Sequence, residues 1–497
     1  MEIIALIALG LMLISQMTVR QFPDPDMFHE MATWRAALEQ GSLPVEDTFA
    51  YTPTRVPVVH HEWGTGMVLH WIVIHGGEPG LLALRYTLTG LIAVLCVWCA
   101  RRRGAGWPAV IMVVPLAVFM GHIGLTTVRA QMFTLTALAA LLLLLDVDRR
   151  GGRWWILPWL VIYTMWLNLH AGFVVGAAFV GLHWVEQFIR TRTPQWHLIF
   201  TGAAMGALML VNPYGWDFVP FIWESITMQR PNIPEWWPLW RLEGSEALTL
   251  YVYVFGALLI LYCMLRGGWK SLSGLLIVLL CAYASLRHLR HASLFAVVIL
   301  CYLPAFVQVT PLGTLLDQLW MRYRKPIGVV FALVGFVCVF LRPHPPWKLY
   351  VPVSLEDEKH YGMLYPVSAA AYLREINFHG NVMTPFTSGA YIIWTLYPNV
   401  KVSQDGRYEV AYQHGVIEQL LATYFGKEHW REGLEKHPTD LVLVPRYFPL
   451  ADLMANESNW PRIYRDDAVD IFARPGLSLQ AVDRIGKPLA RDFPDGT

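Results

Sequence analysis

The chain has 497 residues, 55% of them hydrophobic and only 15% charged, with 22 tryptophans and a net charge of +1. Soluble domains carry about 25% charged residues, so this composition excludes an ordinary water-soluble globule and points to an integral membrane protein with chain left over for one soluble domain. The near-zero net charge gives no pointer to a nucleic-acid partner, and the six cysteines (Cys96, Cys99, Cys263, Cys281, Cys301 and Cys338) all lie in apolar runs, which speaks against a disulfide framework and against "CVWC" as a redox pair.

The first stretch, "MEIIALIALGLMLISQMTV", has no basic region and no small-residue cleavage site, so it reads as an uncleaved span. A span needs about 20 mainly apolar residues. Eleven are predicted, at 1–19, 79–100, 107–124, 130–147, 154–168, 171–189, 198–213, 248–265, 271–286, 292–309 and 326–342. Alternate short connections carry "RRR" at Arg101, "DRRGGR" at Asp148, "RTR" at Arg190, "RGGWK" at Arg266 and "RYRK" at Arg322. Positive loops stay inside. The N-terminus is therefore expected in the cytoplasm of a bacterial-type inner membrane, and everything after the last span is expected outside.

The same orientation puts the long first connection, 20–78, on the outer face. It opens with "FPDPDMFHEMATWRAALEQG", which predicts a helix with Asp24 at the N-cap, Pro25 in the first turn and Gly41 as the stop. Met27, Met31, Trp34 and Leu38 form an apolar stripe at helical spacing. Asp26, Glu30 and Thr33 fall on a neighbouring polar side, with His29 further round, so the helix is expected to present carboxylates to a cleft. Acids in a first turn also offset the helix dipole, and Asp24 reads equally as a cap and as a site residue. "HHEWGTGMVLHWIVIH" then predicts an amphipathic helix lying in the membrane interface, with His60, His61, Glu62 and Trp63 at its start. Asp24, Asp26 and Glu62 are candidates for a divalent cation, although their spacing matches no strict metal signature.

Further along, Arg129, Asn168, His170, Arg287 and Arg290 sit at span ends on this same face. Charge near lipid is costly and usually faces protein or water. The guanidinium fork suits phosphate oxygens, the alternative being contact with lipid headgroups. Asn168 and His170, in "WLNLHAG", read equally as helix packing. The tail changes character. "AAAYLREI" predicts a helix, "GNVMTPF" a strand, "GAYIIWTLYP" a helix, "KVSQDGR" a strand and turn, "DLVLVPR" a buried strand and "RIYRDDAVDIFAR" a hairpin. The expected architecture is an α-helical polytopic bundle, 1–346, followed by an extracytoplasmic α/β domain, 347–497. In "QDGR", Asp405, Gly406 and Arg407 predict a tight turn, either beside the cleft or as an ordinary turn in which Gly406 takes a positive φ.

In order along the chain, "DPDMFH", "HEW", "WLNLHAG", "NPYG" and "QDGR" make the sequence resemble the glycosyltransferase C-fold superfamily, and within it a poorly characterised bacterial group. Its members include protein mannosyltransferases, aminoarabinose transferases and oligosaccharyltransferases. The resemblance implies an inverting transfer of sugar from a polyprenyl-phosphate donor to a glycan, lipid or protein acceptor. Asp26 or Asp24 would match the loop-one catalytic aspartate, with Glu62 as a second acid. The residues themselves suggest Arg129, Arg287 and Arg290 as phosphate-binding candidates, with His61 and His170 lining the donor side. They suggest His29, Glu30, Trp63 and Asn168 near the acceptor, and Trp63 or Trp166 stacking on sugar or prenyl chain. "EWWPLW" at Glu235 lacks the acid of the oligosaccharyltransferase signature, which speaks against transfer to an asparagine sequon. The rival readings are a flippase or transporter of lipid-linked sugar, and a membrane scaffold whose C-terminal domain binds a partner.

Overall fold

The computed structural model describes residues 7, 10, 21–231, 233–341 and 345–494. The predicted first span lies outside these residues, apart from positions 7 and 10. The chain is mostly helical, with one small sheet near its C-terminus. It divides into two compact units. One comprises Leu82–Lys348 together with Gln21, and the other joins Phe22–Leu81 to Leu349–Thr497. The division differs from the expected one at 346/347, because the first connection belongs with the C-terminal segment and not with the helices that flank it in sequence.

In the first unit the helices Trp107–Thr126, Gln131–Arg149, Leu248–Gly267 and Leu275–Arg287 pack against Ala292–Gln308. That last helix is buried from Ala292 to Val307, which is why its sequence is apolar on every face. Among the described residues, four helical stretches are long and apolar enough to cross a membrane: Trp63–Arg102, Gln131–Arg149, Leu248–Gly267 and Leu289–Gln308. Trp107–His122, Ile156–Leu169, Trp196–Leu208 and Leu275–Arg287 are shorter apolar helices. The segment predicted at 326–342 belongs to a longer helix, Pro311–Phe340. Cys96, Cys99, Cys263, Cys281 and Cys301 are free thiols, all buried.

Buried acids tie down the basic connections "DRRGGR" and "RTR" of this unit, whereas "RYRK" lies exposed inside the helix Pro311–Phe340. Asp148 accepts from His183 Nε2 at 3.0 Å, and from His197 Nε2, Arg153 Nη1 and Trp155 Nε1 at 2.9 Å each. Glu186 accepts from the backbone N–H of Gly274 and from Arg190. An unpaired buried carboxylate is expensive, so these residues are retained by their full sets of donors.

The second unit is built on a six-stranded sheet of β1 (Gly380–Met383), β2 (Val400–Val402), β3 (Leu441–Pro445), β4 (Arg462–Arg465), β5 (Val469–Ala473) and β6 (Val482–Asp483), in the order β2-β1-β3-β5-β4-β6. β2, β1 and β3 run parallel, while β5 is antiparallel to β3 and β4. The predicted strands, the helices Val367–Glu375 and Phe386–Leu396, and the β4–β5 hairpin all occur. The first connection completes this unit. Ala50 bridges to Val402 beside β2, Thr54 bridges to Tyr412, and Thr52 donates to Ser403 O at 2.6 Å.

The helix Pro25–Gln40 begins and ends as predicted. Asp24 accepts from the N–H of Asp26, and Gly41 closes the helix at φ 76°. Its surroundings differ from the expectation. Phe28 lies among Tyr365, Tyr391 and Phe493, Arg35 covers Trp394, and the helix packs on Phe386–Leu396. Glu30 and Thr33 are buried with Met27 and Met31, whereas Leu38 is 58% exposed. The stripe therefore does not mark the only buried face, since the start of the Trp63 helix, at Gly66, and the C-terminal segment, at Gly406, cover the polar side too. The next helix starts at Trp63 and leaves helical geometry at Gly77 (φ 54°, ψ −149°). Before that break it buries Leu69 and Val73 and exposes Met67, Trp71 and Ile74, an apolar face open on one side.

Candidate functional site

The second unit collects polar residues from three places in the sequence: the helix Pro25–Gln40, the start of the Trp63 helix, and the segment after β2. Each is brought in by close backbone approach. A Cβ at Gly66 would meet Glu30 O at 2.3 Å, and one at Gly389 would meet Gln404 O at 1.9 Å. No other residue fits either place, so both glycines set how near the elements lie. Thr384 holds the segment further, through Oγ1 to Gln404 O at 2.9 Å and its N–H to Ser403 Oγ at 3.0 Å.

The "QDGR" turn lies beside the first connection. Arg407 donates through Nε and Nη2 to the two oxygens of Asp405, at 2.9 and 2.6 Å, and through Nη1 to Asp47. Tyr412 donates to Asp405 at 2.7 Å. All of these groups are buried. Burial opposes the Asp405 charge, but Arg407 more than offsets it and holds the carboxyl well below its usual range. Gly406 does not take a positive φ; among the described residues of this turn Tyr408 does, at φ 44°. Gly406 is needed for space instead. A Cβ there would stand 3.0 Å from His29 Nδ1 and 3.1 Å from Asp26 Oδ1.

Around this turn Asp24, His29, Glu30 and His60 are buried, while Asp26, His61 and Glu62 keep partial exposure. Burial pushes His29 down to about 4 and His60 down to about 3, so both imidazoles are neutral near pH 7. Neither oxygen of Glu30 meets a hydrogen-bond donor. Its ionisable neighbour is the carboxyl of Glu62. Burial first, then Glu62, raises Glu30 well above the usual carboxylate range. Asp26 is thus a partly exposed acid beside a neutral histidine and a buried acid whose charged form is disfavoured. Among the described residues, no group of three or more His, Cys, Asp or Glu is placed to hold a metal ion.

Trp63 spends one face on Trp34, with ring centroids 5.9 Å apart, and His61 lies 3.3 Å from Glu62.

The remaining sequence candidates lie in the first unit. Arg129 is buried and bidentate to Glu235, at 2.9 and 3.0 Å, with Gln131 accepting from its Nε and Nη2. Arg290 lies 5.5 Å from the ring of Trp236, and the exposed Arg287 lies 5.8 Å from Trp240. His170 Nδ1 accepts from the N–H of Gly172 at 2.9 Å and meets Thr134 Oγ1 at 2.8 Å. Asn168 joins "WLNLHAG" to "NPYG" through Asn212, at 3.1 Å. Trp166 is only 1% exposed and donates to Thr134 Oγ1, so it packs the helices and offers no face for stacking on sugar or prenyl chain.

Sequence reasoning missed Asp47, Tyr412 and Glu235. Asp47 had one local signal, an acid two and three residues before the N–H groups it accepts from, those of Phe49 and Ala50. Glu235 had none, because its partner Arg129 is 106 positions away, and Tyr412, seven residues from Asp405, sits at no regular spacing from it.

Comparison of the chain with protein-family models and with curated proteins gives no match.

Proposed function

We propose that the chain is a membrane glycosyltransferase that moves a sugar from a polyprenyl-phosphate donor to an acceptor at the extracytoplasmic face, with Asp26 as base. The observation that carries this reading is the setting of Asp26. It is a partly exposed carboxylate among buried polar side chains, next to a neutral His29 and closely approached by Gly406. Asp26 takes the proton of an acceptor hydroxyl. The acceptor oxygen bonds to the anomeric carbon, the bond from that carbon to the phosphate oxygen breaks, and polyprenyl phosphate leaves with inversion at the sugar. Glu30 keeps its own proton, and Glu62 is the second acid. Asp24 holds the helix start. Arg129 and Arg290 are the anion-binding groups of the first unit. No step is assigned to a metal ion.

The same reading makes the chain an eleven-span protein of a bacterial-type inner membrane, with a cytoplasmic N-terminus and an outer second unit. The exposed Met67, Trp71 and Ile74 suit a helix lying in the membrane interface.

The experiment is transfer of a labelled sugar from a polyprenyl-phosphate donor by purified protein in lipid. Transfer by the wild type that is lost in Asp26→Asn supports the reading. Movement of the lipid-linked sugar across the bilayer without transfer would replace it with the flippase.

A further inference from the structure

Among the described residues between Thr227 and Leu248, no helix is longer than one short turn. This stretch is held by cations and aromatic rings. Arg230 lies 4.6 Å from the ring of Trp236, Arg241 lies 4.1 Å from Trp237, and Arg290 approaches Trp236 from the turn Leu289–His291. His288 Nδ1 meets Trp236 O at 2.7 Å, and the N–H of Leu289 donates to Trp237 O at 3.0 Å.

Into this cationic surrounding the stretch inserts one carboxylate, that of Glu235, which fills the fork of Arg129. The two partners are unequal. Arg129 has 7% side-chain exposure and is fixed by Gln131, whose amide in turn donates to Arg290 O at 3.3 Å. Glu235 has 29% side-chain exposure and sits on the single turn Pro234–Trp236. A buried guanidinium is costly without an anion. Here the anion is supplied from the more exposed and less regular side, with the bidentate geometry that a phosphate would also adopt.

We propose that Arg129 is the seat for the phosphate of an anionic ligand, and that Glu235 is an internal placeholder that leaves when the ligand binds. The inference rests on the reading of Arg129 as a phosphate-binding residue and names what competes for it. Phosphate oxygens replace the Glu235 carboxylate on the fork, and Arg290 beside Trp236 adds a second cation. A ligand that has to displace the placeholder binds more weakly by the fraction of molecules in which the seat is open.

The test is binding to the full chain in phosphatidylcholine nanodiscs, with farnesyl phosphate and inorganic phosphate as probes and farnesol as the uncharged control. Glu235→Gln should raise affinity for farnesyl phosphate about tenfold, as expected when the placeholder is in place about nine-tenths of the time. Arg129→Gln should remove the gain. A gain confined to farnesyl phosphate assigns a lipid ligand; an equal gain with inorganic phosphate assigns a free one. If Glu235→Gln fails to fold, Glu235→Asp keeps the charge but withdraws it by one methylene, and about a threefold gain is expected. Unchanged or weaker binding of both probes in a folded variant overturns the proposal, as does a similar gain for farnesol. A gain in binding without sugar transfer by the wild type keeps the seat and removes the transferase. Transfer without a gain removes the seat alone.

Discussion

Arg407 and Asp47, 360 positions apart in sequence, form a buried ion pair that fastens the first connection to the C-terminal segment. Asp47 also accepts from the N–H groups of Phe49 and Ala50, so one carboxylate closes a local turn and a long-range contact. Asp47→Ala leaves a buried guanidinium with one acid in place of two. Removing one partner of a buried pair costs about 3–5 kcal/mol. The expected result is a lowered unfolding midpoint together with early proteolysis within Phe22–Leu81. An unchanged proteolysis pattern would count against this role for Asp47.

Asp26→Asn should lower transfer by about 10²–10⁴ while leaving stability near wild type, because a base is lost and no cap is removed. Asp24→Asn should do much less, since Asn also caps well and can still accept from the N–H of Asp26. Turnover of labelled sugar, measured alongside thermal unfolding, separates the two. Near-wild-type turnover in Asp26→Asn removes Asp26 as base.

Gly406→Ala places a methyl group 3.0 Å from His29 Nδ1 and 3.1 Å from Asp26 Oδ1. Overpacking of this kind costs about 1–3 kcal/mol. Transfer should fall by more than that loss of stability explains, because the displaced atoms belong to the site. Equal activity per folded molecule in wild type and variant would reduce Gly406 to a packing residue.

Stability should depend on pH through His29. Its folded value, about 4, lies below the 6.5 of an exposed histidine. Between these values the unfolded chain binds a proton that the folded chain does not, so the His29 contribution is complete above pH 6.5 and is lost as pH falls toward 4. Glu30 acts with the opposite sign. Its raised value makes its contribution complete below the ordinary carboxylate range and lost as pH rises. Denaturant midpoints between pH 7.5 and 4.5 should therefore show a shallower slope for His29→Gln than for wild type. Glu30→Gln should be the more stable protein at neutral pH.

The proposed outer location of the second unit rests on the basic connections alone. A phosphatase fused after Thr497 should be active, and a fluorescent protein that folds only in the cytoplasm should stay dark there. The reverse pattern would invert the whole topology.

Helix and strand positions were legible wherever the signal is local. Asp24, Pro25 and Gly41 bound their helix because capping, the fixed φ of proline and the left-handed freedom of glycine act within one turn. The β4–β5 hairpin and the buried β3 were equally plain, because alternation and β-branched runs depend only on neighbours. The membrane class followed from composition, which needs no geometry. Burial was a different matter. Glu30 and Thr33 lie on what reads as the polar side of their helix, yet both are buried, because periodicity says which face is apolar and cannot say what covers the other one. The acids Asp24, Asp26, Glu30 and Glu62 of the first connection could be seen from the sequence, and "QDGR" could be offered as a neighbour, but the contacts that tune the site could not. Asp405 and Arg407 reach His29 only through the sheet and the close approaches at Gly66, Gly389 and Gly406, and Glu235 reaches Arg129 from 106 positions away. Charge pairing depends on distance in space, and only the folded chain sets that distance.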